Sequence, residues 1–255
     1  MKNWFETHPI VGSVILWAAW LVFVTLGAFA LAALVPGLPG YGTGISASLV
    51  LILVGVVLVA GLLAAFHWWR MAGFVGPSKW RHLSLYWLPV LTLPLPLLGG
   101  LRPLEPAVLG TLIVGYIATA FVEEGLFRGA MLGLLRPTGI WRAVIISSIL
   151  FGMAHLGNIV LRGNPGLIAL QALGSATGGV GLAALRLRTR TIWVVIAIHA
   201  LNDLFLQMGT LPVPLVDAAH DIILLVYGIY LLRPSILPRL EAEMEETRAY
   251  EASRA

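Results

Sequence analysis

Eight long apolar runs divide this chain almost from end to end, at roughly 10–35, 45–67, 83–101, 106–135, 141–160, 166–186, 190–208 and 213–232. Each is close to the ~20 residues that an α-helix needs to cross the hydrocarbon core of a bilayer. In lipid only helices and closed barrels satisfy their own backbone groups. The runs are continuous rather than alternating, which argues against a barrel. The expected fold is therefore all-α: a polytopic transmembrane helical bundle of about eight spans. Charged residues make up only 11% of the chain, as such a bundle requires. Pro89, Pro94 and Pro96 interrupt the third run, so neighbours or water must take up the carbonyls they free. The first run is too long for the apolar core of a cleavable signal and lacks a small-residue cleavage site. No internal repeat or second domain is visible: residues 1–238 read as one integral membrane domain and 239–255 as a charged tail.

The basic residues orient this bundle. With the N-terminus in the cytoplasm and strict alternation, the cytoplasmic side receives Lys2, Arg70, Lys79, Arg81, Arg136, Arg142, Arg186, Arg188, Arg190, Arg233, Arg239, Arg248 and Arg254. The outer side receives Arg102 and Arg162. So lopsided a division is what the positive-inside rule demands, and it places both termini in the cytoplasm of a multi-pass cell-membrane protein. Trp4, Trp68, Trp69, Trp80 and Trp141 then fall at cytoplasmic interfaces as anchors. The pI of about 9.8 thus reflects topology and not a nucleic-acid surface.

Against this apolar background a few ionisable residues stand out. Glu123 and Glu124 are adjacent in the fourth run, and Arg128 follows in the same run. A charged side chain at a helix centre costs on the order of 2.5–3.5 kcal/mol, so such residues turn inward and serve a purpose. Glu124 and Arg128 have the favourable i, i+4 order for an ion pair. Glu123 points about 100° away on an α-helix, which leaves it free to face a cavity. The fifth run places Phe151 and His155 on one face, and the seventh places His199 and Asp203 on one face with Asn202 beside them. Polar groups on three spans that all turn inward converge. Carboxylates and imidazoles around one water are the parts of a hydrolase. The absence of cysteine excludes thiolate chemistry, and Ser147 and Ser148 lie about two turns from His155, so they read as packing residues.

The ordered set Glu123-Glu124-x-x-x-Arg128, Phe151-x-x-x-His155 and His199-x-x-x-Asp203 resembles the three motifs of the CPBP (CAAX protease and bacteriocin-processing, or Abi) family of intramembrane proteases. The likeness covers about 120–208, within a catalytic half at about 106–208. It implies an endopeptidase in which Glu123 activates water, His155 helps hold that water or a metal, and His199 with the residue four further on stabilises the oxyanion. Glu124 and Arg128 would then position and charge-balance the site. Many members carry asparagine where this chain has Asp203, and an ionised aspartate cannot donate to an oxyanion. Asp203 must therefore be protonated, orient His199 or ligate a metal, and Asn202 offers an amide from nearly the same face. The family is described both as metal-dependent and as glutamate-driven. Zn²⁺ on His155, His199, Glu123 and Asp203 and a metal-free site both remain open. The implied partners are membrane lipid and a peptide or membrane-protein substrate, with no nucleic acid.

Two other functions fit parts of the pattern. A non-catalytic bacteriocin-immunity or assembly factor of the same fold would be favoured by missing motif residues. An ion-coupled transporter also uses intramembrane Glu, His and Asp, but would show inverted repeats and paired broken helices. Asp217, His220 and Asp221 have the spacing of a second ion site or a gate, and read more simply as an outer-interface cluster capping the eighth span. The stretch GSATGGVG in the sixth run reads as a small-residue packing face.

Overall fold

The computed structural model describes residues 2–35, 46–158, 164–238, 240 and 242. Arg162, the tail residues Arg239, Arg248 and Arg254, and the tail's acidic residues therefore lie outside the described residues. Among those described, no strand forms and the main elements are helices: α1 (Pro9–Leu34), α2 (Ala47–Ala65), α3 (Pro106–Thr138), α4 (Ile140–His155), α5 (Pro165–Thr189), α6 (Trp193–Met208) and α7 (Val213–Leu231). A broken segment, Trp80–Gly99, precedes α3. This segment and α1, α2, α3, α5 and α7 are six stretches long and apolar enough to span a bilayer. The remaining two, α4 and α6, are 16 residues each. The chain is a multi-pass helical membrane protein. The eight apolar runs resolve into six full-length stretches and two short helices, and the short ones carry His155 and His199.

The prolines act on the third run as steric rules require. It becomes a 3₁₀ turn at Trp80–Tyr86, an α-turn at Trp87–Thr92 and another 3₁₀ turn at Leu95–Gly99. Side chains satisfy several of its carbonyls. Tyr227 Oη donates to Leu85 O at 2.8 Å, and Thr92 Oγ1 donates to Leu88 O and Pro89 O at 3.2 and 3.0 Å. Tyr86 Oη meets Thr189 Oγ1 at 3.0 Å and ties the segment to the end of α5.

Small residues set how closely the helices approach. Gly181 of α5 lies against the backbone of α7 at Leu224, and Gly228 of α7 lies against Gly181 and Val180. The outer helix α1 buries only Gly12, Ser13 and Leu16, so most of its apolar surface faces outward, as lipid contact allows. Arg186, read from sequence as a topology charge, is instead 5% exposed: its Nε and Nη2 donate to Ala72 O and Met71 O. Arg188 likewise donates to Leu231 O at the end of α7. Both arginines satisfy carbonyls that helix ends leave open.

The α5–α7 contact gives a test. A Cβ at Gly228 would stand 2.8 Å from Gly181 Cα, so Gly228→Ala must push two backbones apart. Overpacking of this kind costs about 1–3 kcal/mol. Gly110→Ala, which meets nothing within 4 Å, is neutral or gains up to about 1 kcal/mol from helix propensity. Thermal unfolding in detergent should show a lowered Tm for the first variant only.

Candidate active site

Helix α3 does not run as a uniform α-helix. It is α-helical over Pro106–Glu123 and π-helical over Glu124–Met131, then resumes. A π-turn widens the helix by one residue per hydrogen-bonded ring and is found mostly at functional sites. Two glycines on this turn take close neighbours: a Cβ at Gly125 would reach Val59 and Phe74, and one at Gly129 would stand 3.0 Å from Ala72 Cβ. The connection after α2 is therefore packed directly beneath the turn that carries Glu124 and Arg128.

On that turn Arg128 Nη1 donates to Glu124 Oε1 at 3.0 Å, and neither side chain is exposed. The same carboxylate oxygen accepts a second bond, from His199 Nδ1 of α6 at 2.7 Å. Glu124 thus links α3 to α6. The guanidinium also lies 3.9 Å from the centroid of the Phe151 ring on α4. A desolvated cation over an aromatic face gains about 2 kcal/mol. Phe151 contacts His155 and His199 edge-on, with centroids 4.8 and 6.2 Å apart. Three helices are in this way locked around one pair of opposite charges.

Glu123, at the last α-helical position, has a different environment. Its side chain is 18% exposed where that of Glu124 is fully buried, and its near ionic neighbour is His199 Nε2 at 3.6 Å. Asp203 Oδ2 lies 3.6 Å from the same nitrogen. Both distances exceed a hydrogen bond. His155 Nδ1 lies 3.0 Å from Phe151 O. A carbonyl only accepts, so Nδ1 carries the proton and the neutral ring keeps its lone pair on Nε2.

Glu123, Arg128, His155, His199 and Asp203 all line one cavity of about 820 Å³. That size is typical of ligand sites. Residues of all seven helices, α1 to α7, line it, so the sequence-predicted residues are together in space. The cluster Asp217, His220 and Asp221 requires a correction. It does not cap α7, whose N-cap is Pro212, and it lines this same cavity. The helical spacing placed these three on one face, but which neighbour that face meets depends on α5–α7 packing. The π-turn and the His199–Glu124 bond were also not anticipated from spacing. The only local hint was the glycine-flanked EEGLFRG, which is a poor α-helical sequence.

Among the described residues, no three His, Asp or Glu side chains are grouped to hold an ion. His155, His199, Glu123 and Asp203 share the cavity without forming such a group, and each histidine has its Nδ1 bonded and its Nε2 toward the cavity residues.

Residues 105–205 match the family model described as type II CAAX prenyl endopeptidase, Rce1-like. The match holds Glu123, Glu124, Arg128, His155, His199 and Asp203, and ends before α7. Comparison with curated proteins and with solved structures returned no match.

The Glu124 contacts give a stability test. Glu124→Ala leaves the buried Arg128 without its carboxylate and should cost about 3–5 kcal/mol. Glu124→Leu combined with Arg128→Met removes both charges and should recover most of that loss. Thermal unfolding of the two variants in detergent checks this; equal Tm values for Glu124→Ala and the parent chain would reject the pair as a structural anchor.

Proposed function

We propose that this chain, which carries an Rce1-like domain of the CPBP family at residues 105–205, is an intramembrane endopeptidase driven by glutamate-activated water. The observation that carries the reading is the division of labour between adjacent carboxylates. Glu124 is buried and holds Arg128 and His199. Glu123 is left at the cavity wall with no hydrogen-bond partner shorter than 3.6 Å. A base must reach a proton it can take, and only Glu123 of the two is open to solvent in the cavity.

The roles follow from donors and acceptors. A water in the cavity would donate one proton to the Glu123 carboxylate and the other to His155 Nε2. Glu123 takes its proton as the oxygen attacks the scissile carbonyl carbon. The tetrahedral oxyanion needs donors. In its protonated form His199 supplies Nε2–H, because Nδ1–H is already committed to Glu124. Asp203, 3.6 Å from that nitrogen and beyond hydrogen-bond reach, would favour the imidazolium by its negative charge rather than donate to the oxyanion. Glu123 then delivers its proton to the leaving amine nitrogen as the C–N bond breaks. No step calls for a metal. The substrate is a peptide or membrane-protein segment that enters the cavity. The basic-residue pattern favours a cell-membrane site with both termini cytoplasmic and cleavage from that leaflet.

Glu123→Ala and His155→Ala should each abolish cleavage, a loss of about 10²-fold or more for a general base, without lowering Tm. Quantitative proteomics of membranes from wild-type and Glu123→Ala cells should reveal an uncleaved precursor in the variant alone. Retained processing in that variant would overturn the assignment. With the precursor in hand, cleavage by purified protein should be unchanged after exhaustive chelation; loss restored by added Zn²⁺ would replace the metal-free mechanism.

A further inference from the structure

The α7 wall of the cavity has a chemistry that the hydrolytic step does not use. Asp217, His220 and Asp221 share one face at i, i+3 and i+4, and all three line the cavity. They lie outside the Rce1-like match. His220 is 4% exposed, and its Nδ1 lies 3.0 Å from Thr92 Oγ1. The single Thr92 hydroxyl proton is directed to backbone carbonyls, so the histidine donates and Nδ1 carries the hydrogen. The buried His220 ring therefore keeps an unshared lone pair on Nε2.

The aspartates on either side are acceptors as well. Asp217 lines the cavity together with Asn202 of α6. Asp221 lies against Gly174 and Gly178 of α5, where any Cβ would meet its carboxylate oxygens. Among the described residues, no lysine or arginine forms an ion pair with either aspartate. The cavity lining includes no lysine and one arginine, Arg128, which is engaged with Glu124 and Phe151. This wall thus presents two carboxylates and one imidazole lone pair against a single lining arginine, Arg128, whose charge is shared between Glu124 and Asp221.

A wall of acceptors complements a group that only donates. Ammonium offers three N–H donors and guanidinium five, and neither has an acceptor. Opposite charges attract strongly where water is scarce. We propose that Asp217, His220 and Asp221 form the subsite that takes a lysine or arginine side chain of the peptide substrate. The inference rests on the proteolytic reading for the identity of the ligand as a substrate, and makes α7 a specificity element for the chemistry performed on α3, α4 and α6.

The test separates binding from cleavage. The full-length Glu123→Gln protein in detergent is titrated calorimetrically with neutral octapeptides in which one lysine, or one norleucine, is moved along the sequence. At one position lysine should bind about tenfold tighter than norleucine, the scale of a charge-assisted hydrogen bond. Adding Asp221→Asn should erase that preference and leave norleucine binding within about twofold. Asp217→Asn serves as the second variant, and thermal unfolding confirms that each is folded. In the active chain, Asp221→Asn should raise KM for the lysine peptide and leave kcat in place. No lysine preference at any position, or a preference that survives both substitutions, overturns the subsite. A wild-type chain that binds lysine peptides selectively but cleaves nothing would sink the protease and leave the subsite standing.

Discussion

One carboxylate oxygen, Glu124 Oε1, organises the site. It accepts from Arg128 on its own helix and from His199 on α6. Arg128 in turn lies over Phe151 on α4. Removing any one of these groups leaves a charge or a polar atom in a place that water does not reach. Such an arrangement is a poor source of net stability, because desolvation offsets most of the attraction. Its effect is on geometry: it fixes the relative positions of three helices around the cavity.

In the proposed mechanism this division accounts for the two adjacent glutamates. A single carboxylate cannot both neutralise a buried arginine and remain free to take a proton. Placed at the junction between α-helix and π-turn, Glu123 and Glu124 face different surroundings although they are neighbours in sequence. The π-turn is accommodated because Gly125 and Gly129 let Phe74 and Ala72 press against it. Arg186 holds that connection in place through Ala72 O and Met71 O. The apparently peripheral segment after α2 thus supports the π-turn from below.

The cavity is asymmetric in its chemistry. On one side, α3, α4 and α6 present groups that can hold and activate a water. On the other, α7 presents acceptors alone. The glycines of α5 make this possible, since Gly174 and Gly178 give Asp221 room while Gly181 draws α7 close. The broken third segment contributes through Thr92, whose hydroxyl fixes the tautomer of His220. Thr92 ends the short α-turn Trp87–Thr92 that lies between the segment's two 3₁₀ turns.

Much of this was legible in the sequence. Runs of apolar residues dictate helices in a bilayer, because no other open structure satisfies its backbone there. The rarity of charge makes Glu123, Glu124, Arg128, His155, His199 and Asp203 conspicuous, and the i, i+4 spacing alone pairs Glu124 with Arg128. Periodicity also set Asp217, His220 and Asp221 on one face. It could not say what that face meets, because spacing along one helix carries no information about its neighbour. The bond from His199 to Glu124, the widened turn and the place of α7 in the wall of the same cavity are decided by packing between segments far apart in the chain. Local sequence determines which groups each helix offers; only the close approach of glycine faces determines which of them share a wall.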